Sequence, residues 1–93
     1  MRRVVITGMG IVSCIGNNQE EVLDSLLNTR SGIVFSEDHK KYNFRSQVVG
    51  TIKNLNLSDH IDRKKIRFMG DGSAYNYISM QESIKDSGLE EKD

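Results

Sequence analysis

Four groups of residues have the types and spacing to do chemistry. Cys14 is the sole cysteine. A thiolate becomes a nucleophile when a histidine, a nearby cation or a helix N-terminus lowers its pKa. His39 and His60 are the two histidines, and both stand in polar segments. Gly8-Met9-Gly10 follows the apolar run Val4-Val5-Ile6. A G-x-G after a strand is half of a phosphate-cradling fingerprint, in which backbone N–H groups and a helix N-terminus hold a pyrophosphate. Arg63-Lys64-Lys65-Ile66-Arg67 is a dense basic run.

Each group has a plainer reading. No spacing ties either histidine to Cys14. A cysteine among Val12, Ile15 and glycines reads as a small buried apolar residue. The histidines with Asp38, Asp59 or Asp62 match no metal-ligand spacing, so no metal is expected. The dinucleotide reading is weakened at its third glycine, which is Ser13 here, and at its helix, which must open directly on the glycines. The basic run holds up better. Positions 63, 64 and 67 share a helix face by i+3 and i+4 spacing. Ile66, Phe68 and Met69 are expected to anchor that face on a core. A compact basic face in a neutral chain suits an acidic partner.

The elements that must position these residues follow from pattern. Val4 to Ile6 reads as a buried strand, because β-branched residues suit a covered sheet. Gly8 and Gly10 then mark a turn or a close approach of backbone. Asn18 is a good N-cap, with Glu21 three residues on to complete a capping box. Val22, Leu23, Leu26 and Leu27 form one helical face, which predicts a helix ending near Thr29 or Arg30, with Gly32 as its stop. Ile33-Val34-Phe35 is a short apolar run, and Ser36 to Lys41 reads as a surface loop. Strand composition lies around Gln47 to Ile52, with a bulge or bend at Gly50. Ser58 or Asp59 is a candidate cap for a short helix over the basic run. Asp71 or Ser73 caps a longer helix that runs to about Ser87, with Ala74, Tyr77, Ile78 and Ile84 on its apolar side. Tyr75 and Tyr77 read as packing residues, not as a nucleic-acid stacking platform. Gly88 suits a left-handed C′ position, and Leu89 is placed to touch Ile84 in a Schellman motif.

The chain has 93 residues, with 13 basic and 13 acidic side chains and no net charge. Neither nucleic acid nor an anionic membrane is recruited by such a total. One cysteine fits a reducing compartment. The apolar run after Met1-Arg2-Arg3 is too short for a signal core or a membrane span. A cytoplasmic location is expected. Residues 1–93 show no internal domain boundary, and one strand with two or three helices leaves a sheet without clear partners. A fragment of a larger α/β protein is therefore expected.

Taken in order, the segments resemble the N-terminus of a β-ketoacyl-acyl-carrier-protein synthase. The matching residues are V-V-I-T-G-M-G-I-V-S-C-I-G-N-N from Val4, R-S-G-I at Arg30 to Ile33, I-D-R-K at Ile61 to Lys64, R-F-M at Arg67 to Met69 and D-S-G-L at Asp86 to Leu89. The opening and the I-D-R-K segment most resemble type I synthases, with type II or polyketide-type enzymes as the alternative. The resemblance implies a thiolase-like fold with α/β/α/β/α layers, a homodimer and a ping-pong acyl transfer. An enzyme cysteine takes the acyl group, and a carbanion from decarboxylated malonyl carrier protein attacks it, assisted by two histidines. No metal or dissociable cofactor is implied, since the phosphopantetheine arm arrives on acyl carrier protein. The family's catalytic residues come later in its chain, so no residue here inherits a catalytic role. What carries over is the basic helix, where Arg63, Lys64 and Arg67 match the carrier-protein-binding segment and Lys65 is an added neighbour. Cys14, Gly70 and Gly72 depart from the family pattern. Two other classes remain open: a small carrier-protein-binding module, and, more remotely, a dinucleotide-binding domain.

Overall fold

The computed structural model describes residues 1–92; Asp93, the last residue of the 1–93 domain range, lies outside them. Helix α1 spans Gln19–Leu27. Strand β1 (Ile33–Phe35), helix α2 (Glu37–Lys41) and strand β2 (Val48–Gly50) follow. A 3-10 turn at Leu57–Asp59 leads to helix α3 (Arg63–Ile66), and helix α4 (Asp71–Ser87) is the longest element. The strands pair antiparallel, with Ile33 opposite Gly50, Val34 opposite Val49 and Phe35 opposite Val48. Ser36 N–H adds a bond to the Gln47 carbonyl at 2.7 Å.

Side chains start these helices as their types dictate. Asn18 Oδ1 accepts from the Glu21 N–H at 2.9 Å. Glu21 Oε2 accepts in return from the Asn17 N–H at 2.7 Å, one residue upstream of a standard capping box. Such a cap contributes about 1 kcal/mol. The expected loop at Ser36 to Lys41 is instead helix α2, because Ser36 accepts from His39 N–H and caps it. Asn56 caps the 3-10 turn and Asp62 caps α3, not Ser58 or Asp59. Gly70 holds the N-cap of α4 and supplies no side-chain acceptor, so neither Asp71 nor Ser73 fills that role.

The helix ends reveal a device that composition hides. Thr29 has φ 54° and Asn43 φ 58°. The Thr29 N–H reaches the Leu26 carbonyl, and the Arg30 N–H reaches the Ser25 carbonyl at 2.9 Å. Asn43 and Phe44 repeat the pattern on Lys40 and His39. Both are Schellman closures. Helix α1 therefore stops at Thr29, not Gly32, although a β-branched residue resists the left-handed region. Gly88, the expected left-handed stop of α4, has φ 72°. Its closure is only half made. Leu89 N–H turns to Ser87 Oγ instead, and both Leu89 and Ile84 stay exposed.

The core is small. Ile61, Ala74 and Ile78 are buried, with Val12, Leu55, Leu57, Ile66, Met69 and Tyr77 partly buried against them. The apolar face of α1 is uncovered, and Leu23, Leu26 and Leu27 are all exposed. The buried strand expected at Val4 to Ile6 is not formed. Val4 and Ile6 are each 93% exposed. The reason is partnership: among the described residues no strand lies beside this run, and α4 covers the backbone only from Gly8 onward. The Cα radius of gyration is 16.6 Å, against about 12 Å for a compact domain of this length. No helix among the described residues is long and apolar enough to cross a membrane.

Candidate functional site

Asp62 starts α3 by accepting the Lys64 N–H on Oδ1 at 3.2 Å. The turn continues past Ile66 through bonds from Arg67 to the Arg63 carbonyl, Phe68 to Lys65 and Met69 to Ile66. One tight coil from 62 to 69 therefore carries the whole basic run. Ile66 and Met69 press on the core cluster and fix the coil to α4. Phe68 does not share that anchoring role; it is 87% exposed.

Arg63 and Lys64 are exposed side by side, and Arg67 is exposed one turn on. Among the described residues none of the three forms an ion pair; the recorded pairs are Arg30–Asp24 and Lys92–Glu90. Lys65 is drawn away, with its ammonium 5.8 Å from the Tyr77 ring centroid on α4. The free basic face is thus narrower than the sequence run. Three unpaired cations on one turn attract anionic side chains by steering and rim contacts.

Cys14 sits in the tight turn closed by Ser13 and Gly16, whose backbones bond each other at 2.8 and 3.3 Å. It is half-buried and free, and its sulfur lies 2.8 Å from where a Cβ on Gly32 would stand and 3.1 Å from one on Gly50. The cleft around it holds Asn17, Glu21, Arg30 and Lys53 but neither histidine. His39 instead packs on Phe44, with ring centroids 4.7 Å apart, and its Nδ1 meets the Ser46 carbonyl. His60 closes the 3-10 turn through its own N–H. Among the described residues, neither histidine is therefore placed to act as a base on Cys14. Among the described residues no three histidine, cysteine or acidic side chains gather as a metal site.

Gly8 and Gly10 are close-approach positions, as their spacing predicts, and what approaches is protein. A Cβ on Gly8 would strike Ser83 and Ser87, and one on Gly10 would strike Ser79 and Ser83. The serines at 79, 83 and 87 form an i+4 row of small side chains on α4, along which the opening segment runs. Acceptors on the same helix hold its amides. Met9 N–H donates to Asp86 Oδ2 at 3.1 Å and Ile11 N–H to Glu82 Oε2 at 2.9 Å. Glu82 Oε1 also takes the Gln19 N–H at the start of α1, at 2.8 Å. Ser83 Oγ donates to the Gly8 carbonyl, and Gln19 Nε2 to the Met9 carbonyl. The glycines meet the flank of a helix, not its N-terminus, which removes the geometry of a phosphate cradle. Sequence reasoning missed Glu82 and Asp86, although their i+4 spacing beside the serine row was the available signal.

Comparison with known proteins places the chain in a family. The family description "Beta-ketoacyl synthase, N-terminal domain" matches residues 1–93. The 3-oxoacyl-[acyl-carrier-protein] synthase 1 of Haemophilus influenzae is 60% identical over 91 residues, covering 98% of this chain and 22% of the relative. That of Escherichia coli (strain K12) is 55% identical over 89 residues, 96% of this chain and 22% of the relative. A 3-oxoacyl-[acyl-carrier-protein] synthase 2 of Staphylococcus aureus is 36% identical over 94 residues, 99% of this chain and 22% of the relative. The chain spans somewhat over a fifth of these relatives' length, and it follows the type 1 sequences more closely than the type 2 sequence. With a family match over its whole length, the chain belongs to the beta-ketoacyl synthase family, as an N-terminal stretch of a synthase of the type 1 kind.

Proposed function

We propose that this chain is the N-terminal part of a fatty-acid condensing enzyme, an acyltransferase that joins an acyl group to malonyl-derived carbon on acyl carrier protein. The observation that carries this reading is 60% identity to a named 3-oxoacyl-[acyl-carrier-protein] synthase 1 across 98% of the chain. The parent enzyme is a thiolase-like α/β/α/β/α homodimer, working in the cytoplasm, with the pantetheine arm supplied by the carrier protein and no metal. Supporting the fragment reading are the unpaired opening run and the uncovered apolar face of α1. The catalytic cysteine and histidines belong to sequence outside these 93 residues. The chain alone is expected to give no condensation product from acyl and malonyl carrier protein; turnover above the enzyme-free rate would contradict this assignment.

In this reading Arg63, Lys64 and Arg67 dock the acidic carrier protein. Their exposure, and the absence of an ion pair to any of them among the described residues, support it. Reversing them to glutamate is expected to weaken carrier-protein binding at least about tenfold at low salt, with the difference shrinking as salt screens the charges. Titration at two salt concentrations checks this, and equal affinities at low salt would remove the basic face from the proposal.

A further inference from the structure

We infer that the carbonyls of Cys14, Gly32 and Thr51 form a monovalent-cation site whose resident cation is the chain's own Lys53 ammonium. Lys53 Nζ donates to Gly32 O at 2.8 Å and to Cys14 O and Thr51 O at 3.1 Å each. An ammonium has three protons to donate, and here each has a carbonyl. Two further observations show that the site is built. Gly32 is buried, and a Cβ on it would overlap the Cys14 carbonyl, so glycine there is what lets the two oxygens converge. Asn17 Nδ2 donates to the Lys53 carbonyl at 2.7 Å, which fixes the backbone from which the side chain reaches.

The three carbonyls come from separate segments: the opening turn, the residue before β1 and the residue after β2. Converging carbonyl dipoles are a site for a weakly hydrated monovalent cation, because they replace its hydration shell. A small divalent ion demands carboxylates and more oxygens than this cradle offers. The ligand class is therefore a primary ammonium or a potassium-like ion, and the covalent tether of Lys53 gives the ammonium a high effective concentration. The charge thus holds the Cys14 turn on the β1–β2 hairpin.

The test removes the cation and returns it free. In the full chain, Lys53→Ala is expected to raise amide hydrogen exchange of residues 13–17 and 51–54 about tenfold, in keeping with the loss of charge-assisted bonds. Propylammonium chloride, which replaces the missing side chain, is expected to restore protection. Choline chloride at equal ionic strength has no N–H and is expected to fail. Lys53→Met keeps the aliphatic stem and removes only the charge; it is expected to show the same local loss with α4 still protected. Unchanged exchange in both variants, equal recovery in choline, or loss spread evenly over α4 would each overturn the assignment.

Discussion

Gly10→Val is expected to release the opening segment from α4. A Cβ at position 10 would occupy the space of the Ser79 carbonyl and crowd the Ser83 amide. Both are helix backbone, so no side-chain rotation relieves the overlap. The segment must lift away, and the carboxylate bonds to Met9 and Ile11 go with it. Overpacking costs about 1–3 kcal/mol, and each bond to a charged group about 1.5–3. A total of about 4 kcal/mol or more is expected to show as fast exchange of the Met9 and Ile11 amides. The contrast lies in Gly70 and Gly72, where an added Cβ meets nothing within 4 Å. Gly72→Ala, within the first turn of α4, is expected to stabilise by about 0.5–1 kcal/mol through helix propensity and a less free unfolded chain. If Gly10→Val keeps both amides protected, the crossing does not hold the segment.

Ile61→Ala is the second large effect. Ile61 is 3% exposed and packs with Ala74 and Ile78. A buried isoleucine truncated to alanine costs about 2–5 kcal/mol through lost transfer and the cavity left behind. With three buried hydrophobics in the cluster, little else replaces it. The substitution also undermines α3, whose Asp62 cap is the next residue. A lower melting temperature by circular dichroism is therefore expected, and, under the proposed docking role, weaker carrier-protein binding at both low and high salt. Salt separates this loss from the charge reversals, whose effect fades on screening. A melting temperature equal to that of the parent chain would show that the cluster is not the stabilising core.

The sequence made some of this plain and concealed the rest for physical reasons. The Asn18 cap and Gly88 stop were legible, because each rests on one residue acting on its own neighbours. The close approach at Gly8 and Gly10 was legible as a need, but its partner was not. The Ser79, Ser83 and Ser87 row lies about seventy residues away, and contact across that span leaves no local pattern. The end of α1 near Thr29 was legible, but its stop was assigned to Gly32, because propensity argues against a β-branched residue in the left-handed region. Phe68 misled: its apolarity suggested anchoring, but the 62–69 coil turns it outward. Of the candidate site, the basic face was readable from spacing, while the withdrawal of Lys65 onto Tyr77 needed the fold.

The crossing of the opening segment over α4 also sets an order in time. Ile11 finds its Glu82 acceptor 71 residues later in the chain, and Met9 its Asp86 acceptor 77 residues later. At about 5–20 residues per second, a nascent chain carries its first glycines unpartnered for roughly 4–15 seconds. During that interval Val4, Val5 and Ile6 present an apolar β-branched run with free backbone groups, the kind of surface that chaperones and aggregates both capture. Within these 93 residues, the opening segment is therefore seated only after α4 has been made.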